Sequence, residues 1–518
     1  MRRRIKRNLL ASLTIIIVIL LIISGYYFLF FDESEPILEE EENEKIVDDS
    51  ISPPYVNQAV FLEIKRIHKK GIENLMRKIG FSWKKQPNFF LKASIDNVEW
   101  KSHTTKGWDT GFVGWEVPRF VEDEQEKSFI KITMYEPRKK LFKIWNEAIE
   151  GFDITYDFKT GKWYGDDYFN DTDGYGHFNG KNYEIWFEVH QLDADMDGIP
   201  YWTENNILNT NPNVDDSKLD PDMDGVSTSW EWKWGYDPFV WDNHSYLDPD
   251  SDGLENIEEY KMEKWLADPF HQDIYIEVDF MKKGPGLFTY DHVLWKESQY
   301  MVIDKFSNHM ITLHIDDGWP TGSNIGGGEY LRFIKEKLDV ADGAGAEFYK
   351  YHFSEERRGI FRYLVIQNGG IGWVFPADYR YHSDFFTIPN NNKWFRNVML
   401  PGAITARQKR ISLAVVFMHE LGHSLGLIPT YCEGIDNKTM VGRNDLPPLQ
   451  SFIESMKSVK YWDNYESCMN YWKFSRYLLD YSDGTHGEHD SDDWSYLNLT
   501  FFQNMRPSPY GIEHDYKK

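Results

Sequence analysis

The stretch Arg410–Gly426, RISLAVVFMHELGHSLG, decides how this chain is read. It has no proline, no glycine before Gly422, and Gly426 at its end, a pattern that predicts an apolar helix. Within it His419, Glu420 and His423 form the pattern H-E-x-x-H. Four residues are close to one helical turn, so both imidazoles project from one face and can share a tetrahedral Zn2+, with Glu420 beside them to take a proton from water. The pentapeptide alone is short enough to arise by chance. Its place inside an apolar run strengthens it, because structural histidine pairs more often lie on exposed faces or near helix ends.

The longer string HELGHSLG (His419–Gly426) resembles the metzincin metallopeptidases, whose H-E-x-x-H-x-x-G pattern uses the glycine to turn the chain toward a third ligand. Downstream, ESCMNY (Glu466–Tyr471) is similar to the metzincin Met-turn. The resemblance covers a small part of the chain. It implies a C-terminal zinc endopeptidase domain, Met469 as an apolar floor beneath the metal, and Tyr471 as a donor to the transition-state oxyanion. The sequence departs from the family where the third ligand normally falls, for that position is Pro429, which cannot bind metal. Asp436, Glu433 and Cys432 are the substitutes in the next loop, and Asp436 is preferred because the GIDN turn can aim its side chain back at the helix. Cys432 is then free to bridge Cys468 and tie that loop to the Met-turn.

Before the helix, DIYIEVDF (Asp273–Phe280), ITLHIDD (Ile311–Asp317) and FRYLVIQ (Phe361–Gln367) read as strands, with a helix over Tyr290–Phe306, so residues 271–518 form an α/β or α+β domain. The glycine-rich GGIGWVF (Gly369–Phe375) has the character of an edge strand able to pair with a peptide backbone. The Asp- and His-rich tail Ser482–Trp494 reads as a solvated loop in preference to an ion site.

Residues 191–270 hold a repeat. DADMDGIPYWTE, DPDMDGVSTSWE and DPDSDGLENIEE place carboxylates at loop positions 1, 3 and 5, Gly at 6 and Glu at 12. The ligands are Asp193, Asp195, Asp197 and Glu204, then Asp220, Asp222, Asp224 and Glu231, then Asp248, Asp250, Asp252 and Glu259. This is the EF-hand loop pattern, in which alternate Asp side chains converge on Ca2+ and the terminal Glu closes the shell with both oxygens. A solvated acidic linker would not need Gly and Glu in register. With their trailing TNP, YDP and ADP tripeptides the segments resemble bacterial thrombospondin type 3 repeats, which implies a calcium-stiffened spacer.

Residues 55–190 begin with a charged amphipathic segment, Tyr55 to about Lys85, that reads as a helix, and continue in short aromatic strands that predict a β-sandwich-like domain. The turn holding Asp171 and Asp173 reads as a plain Asp-Gly turn. At the N-terminus a basic tail, 1–8, precedes an uncharged apolar run, 9–31, and an acidic stalk, 32–54. The run is long enough for a transmembrane anchor and too long for the core of a cleaved signal peptide. The expectation is therefore a multidomain α+β protein of the cell membrane, single-pass, with a cytoplasmic N-terminus and an extracellular catalytic domain.

A formal charge of -26 excludes a nucleic-acid partner and favours cations, while 41% hydrophobic residues exclude a disordered chain. The partners expected are a protein or peptide substrate and the membrane; oligomeric state is not readable. The competing class is a non-enzymatic surface or adhesion protein in which the calcium repeats are the function and the zinc site is structural.

Overall fold

A computed structural model of the chain describes residues 59–78, 86–121, 125–140, 143–167, 174–193, 195–285, 292–318, 326–336, 338, 343–368, 373–374, 384–390, 405–429, 432–436 and 447–501. The anchor expected over 9–31, its tail and stalk, and the Asp171/Asp173 turn lie outside these residues. Among the described residues no helix is long and apolar enough to cross a membrane. The single-pass architecture and the membrane localisation are corrected on that finding: the described fold is mixed α/β and rich in sheet. The 19-residue helix Ala406–Ser424 shows the physical reason that an apolar run need not be a span, since it carries Arg407, Lys409, Arg410 and Glu420 and buries its apolar side chains in protein.

The helix expected over Tyr55–Lys85 is also corrected. Its first described part is strand β1 (Ala59–Lys69), followed by a short helix α1 (Ile72–Arg77). Val60, Leu62 and Ile64 alternate into the core with period two, a bulge falls between Ile64 and Arg66, and Ile67 then rejoins the apolar face. The charged residues between them give the segment its amphipathic look, but their spacing is that of a strand.

The remaining strands of this region are β2 (Asn88–Ile95), β3 (Val98–Lys101), β4 (Thr105–Lys106), β5 (Asp109–Phe120), β6 (Lys127–Lys140), β7 (Lys143–Asp157), β8 (Lys162–Gly165), β9 (Gly176–Asn179) and β10 (Tyr183–Gln191). They form two antiparallel sheets, β5-β1-β10-β9 and β3-β2-β6-β7-β8, with β4 paired to β2. Both sheets bury side chains in one shared core, which makes them a sandwich.

A third, mixed sheet runs β12-β11-β14-β16-β15, from β11 (Asp273–Met281), β12 (Thr312–Asp316), β14 (Phe361–Gln367), β15 (Trp373–Val374) and β16 (Phe385–Pro389), with the short β13 (Tyr330–Leu331) paired to the end of β11. All its pairings are parallel except β15 with β16. Every residue of β11 is buried, because helices cover both faces. Ile274, Ile276 and Val278 enter the core beneath α4 (Lys296–Ser307) and α6 (Ala406–Ser424), while Tyr275 and Met281 enter the core beneath α5 (Gly343–His352). Between sandwich and mixed sheet lie the repeat loops, with α2 (Thr228–Lys233) and α3 (Asn256–Met262).

The sandwich is joined to the α-helical layer by buried charge. The bulge in β1 turns Arg66 and His68 away from the sandwich core; Arg66 Nη2 meets Asp109 Oδ2 at 2.7 Å and His68 Nε2 meets Asp304 Oδ1 of α4 at 2.8 Å. The Gly71 N–H donates to Asp304 Oδ2 at 2.8 Å, and Ile72, Met76 and Trp108 complete the core around α4 and α6. Burial alone would lower the His68 pKa, but Asp304 and then Asp109 raise it above its ordinary value. A raised imidazole contributes stability that is complete below about pH 6.5 and is lost as pH rises through the folded value. Asp304→Ala should therefore cost about 3–5 kcal/mol in urea unfolding near pH 6, where it removes the main partner of a buried imidazole, and should flatten the fall in stability as pH rises above about 6.5.

Candidate metal centres

Helix α6 starts on a capping box in which the Gln408 N–H donates to Thr405 Oγ1 at 3.2 Å and the Thr405 N–H donates to Gln408 Oε1 at 3.1 Å. It ends at Gly426, whose φ of 87° lets the chain turn back so that the Leu427 N–H reaches the Gly422 carbonyl at 2.9 Å. His419, Glu420 and His423 are all buried on its last turns. The imidazole centroids stand 4.8 Å apart at 84°.

Backbone carbonyls fix both rings. His419 Nδ1–H donates to the Cys468 carbonyl at 2.8 Å and His423 Nδ1–H to the Leu427 carbonyl at 2.7 Å. A carbonyl can only accept, so each ring carries a proton on Nδ1, and Nε2 is the atom turned outward for a metal. Both Nε2 atoms face Asp436, at 3.4 Å from Oδ1 for His419 and 3.5 Å from Oδ2 for His423. Ligand atoms about 2.0–2.1 Å from a tetrahedral Zn2+ lie about 3.3 Å from one another, so this spacing suits a shared metal. Asp436 Oδ1 is buried without a hydrogen-bond partner, which a cation would supply. Burial would lower the His423 imidazole, yet the adjacent Asp436 carboxylate pushes it up to about 9; burial would raise Asp436, yet His423 and His419 hold it far below the usual range.

Of the three substitutes for the missing ligand, Asp436 is the one brought to the imidazoles. Its φ is 51°, the left-handed turn, and its N–H donates to the Met469 carbonyl at 3.1 Å. Glu433 is exposed and Pro429 likewise faces solvent. Cys432 and Cys468 remain free thiols, so the expected bridge is corrected: both are packed in the apolar core, where burial pushes Cys432 up to about 11 and Cys468 well above its ordinary value. Met469 lies beneath α6, and a methyl added at Gly422 would come within 2.8 Å of its sulfur. The Tyr471 ring stacks on His419 at 5.7 Å and 26°. In the tail, Asp490 is satisfied by Ser482 and His486.

The three repeat loops share one backbone. Position 4 is left-handed in each (Met196, Met223, Ser251), as is the glycine at position 6. The N–H groups of positions 5 and 6 donate to the position 1 carboxylate in every copy. Glu204, Glu231 and Glu259 are almost wholly buried, and both oxygens of Glu231 and Glu259 lack hydrogen-bond partners. In the first loop Asp193 Oδ1, both Asp195 oxygens, Asp197 Oδ2 and Glu204 Oε2 are orphaned in the same way. Such a set of inward oxygens fits Ca2+, which takes six to eight. Burial and then the neighbouring carboxylates push Asp197 and Glu204 up to about 8, Asp250 to about 10 and Asp252 to about 7.

Sequence reasoning missed the residues that follow each loop. Asp216, Asp242 and Asp273 each stand five residues after the Asn or Asp of the trailing NP or DP dipeptide. Asp216 Oδ1 is buried and unpartnered and adds its charge beside Glu204, whereas Asp242 and Asp273 donate their N–H groups to Asp224 Oδ2 and Asp252 Oδ2. The shared dipeptide spacing was the signal available.

No protein-family model and no curated protein matches the chain. Solved structures similar to parts of it include Drosophila C2-DSL-EGF1, 3% identical over 28% of this chain and 71% of that one with a TM-score of 0.19. A C2 domain of plant Extended Synaptotagmin 1 is 11% identical over 26% of this chain and 95% of that one, with a TM-score of 0.17. Likenesses of this size carry no argument about activity.

Asp436→Ala should weaken zinc binding by at least about 100-fold in chelator competition while leaving the helical circular-dichroism signal in place. For the loops, carboxyls raised in the calcium-free fold hold protons that the unfolded chain has released, so calcium-free stability should fall as pH rises from about 4 to 8. Calcium should reverse that slope and add about 2.7 kcal/mol per loop at 100 times its Kd, read from thermal melting with and without EGTA at the two ends of the range.

Proposed function

We propose that the chain is a zinc-dependent endopeptidase of metzincin-like type, held in a frame stiffened by Ca2+. The observation that carries this reading is the convergence of His419 and His423 Nε2 on Asp436, with Glu420 next to His419 on the same helix. Bound zinc supplies a Lewis acid that lowers the pKa of water to about 7 and polarises a carbonyl. Glu420 takes the proton of the attacking water and later returns it to the leaving amine. Tyr471, whose ring stacks on His419, is assigned as a donor to the oxyanion. Strand β15 supports a peptide substrate, because it is the antiparallel edge of the mixed sheet and packs against α6. The thiols of Cys432 and Cys468 are buried and their pKa values are raised, so neither is suited to act as a nucleophile in a covalent route.

Glu420→Ala should retain one zinc equivalent by metal analysis and lose between about 100- and 10,000-fold in kcat/KM on quenched-fluorescence peptides. Undiminished hydrolysis in that variant would refute the assigned base. Zinc bound without hydrolysis of any peptide by the unaltered chain would instead favour the non-enzymatic surface protein.

A further inference from the structure

The second repeat loop has a histidine among its carboxylates, where the matching positions of the other two repeats are Lys218 and Tyr275. His244 is wholly buried, and its Nε2 lies 3.1 Å from Asp224 Oδ2 and 4.0 Å from Glu231 Oε1, yet forms no hydrogen bond with either. Both Glu231 oxygens are likewise without hydrogen-bond partners. The three side chains thus point at a common space inside a cluster that also has the loop ligands of a cation.

We infer that this loop is a mixed carboxylate–imidazole site for a transition-metal dication, with His244 Nε2 as a nitrogen ligand beside Asp224 and Glu231. Ca2+ is a hard ion that takes oxygen ligands, whereas imidazole suits borderline ions such as Zn2+ and its substitute Co2+. The ring is braced as a ligand requires. Trp230 and Tyr236 meet it edge-on at 5.5 Å and 4.8 Å, and Nδ1 lies 3.0 Å from the side-chain amide of Asn256, which also reaches the Tyr236 hydroxyl at 2.8 Å. An amide can present either end, and with its oxygen toward Nδ1–H the Nε2 lone pair is left for a metal. The third loop shows what replaces the histidine where only oxygen is offered. Its position seven residues after the DP aspartate, where the second loop has His244, is Tyr275, whose buried hydroxyl lacks a hydrogen-bond partner and lies within the field of Asp273, Glu259 and Asp252. The sequence repeat therefore carries two chemistries. This inference does not rest on the hydrolytic reading of α6.

The test uses the full chain carrying His419→Ala and His423→Ala, which silences the α6 site, stripped of metal and titrated with Co2+ in millimolar Ca2+. One Co2+ equivalent should bind with visible d–d absorption and resist the calcium, and adding His244→Gln should weaken it by about 100-fold or more. Displacement of the cobalt by calcium, or unchanged cobalt binding after His244→Gln, would overturn the inference and leave His244 as an outer brace on a calcium ligand. Should His244→Gln fail to fold, electron spin-echo spectra of Cu2+ in the chain that keeps His244 decide the matter: imidazole nitrogen modulation is expected, and its absence overturns the assignment.

Discussion

Two backbone carbonyls organise the centre on α6. Those of Cys468 and Leu427 each take an Nδ1–H, which fixes the orientation of both histidines and leaves both Nε2 atoms facing one carboxylate. The turn at Cys468–Met469 does double duty, because the next carbonyl along, that of Met469, receives the N–H of Asp436. One short turn thus aims a candidate ligand from the helix and another from the loop. It can sit so close because Gly422 has no side chain where the Met469 sulfur packs, and because the Tyr481 hydroxyl donates to the Met418 carbonyl at 2.6 Å alongside it.

The chain's large negative charge has a structural counterpart in the repeat region. Carboxylates that would be costly to bury alone are gathered three times on the same backbone turn, and a cation would offset that cost only when the loop is folded. The third loop passes this order on to the mixed sheet, for Asp252 accepts the N–H of Asp273 at 2.8 Å and Gln272 donates to the Asp250 carbonyl at 2.9 Å, fixing where β11 begins. The first loop rests on the sandwich, where Thr203 Oγ1 donates to the Lys159 carbonyl at 3.0 Å. The candidate cation loops and the domain geometry are therefore tied together in this molecule.

Local pattern determined a good deal. The apolar run around H-E-x-x-H specifies a helix with both imidazoles on one side, and the fixed spacing of Asp, Gly and Glu specifies the three loops, because ligand and backbone in each lie within twelve residues. Strands at Asp273, Thr312 and Phe361 are legible for the same reason, being short runs with turn signals at their ends. Tertiary structure decided whatever depends on distant partners. β1 is a strand because sheet neighbours on both sides claim its backbone, although its charges read as a helix. The two cysteines stay apart as packed thiols because the core around the Met-turn accepts both. Asp436 and His244 become candidate ligands only through chain reversals that bring loop to helix and repeat to repeat. Periodicity and spacing act over a few residues, and convergence of side chains far apart in the sequence is a property of the packed core alone.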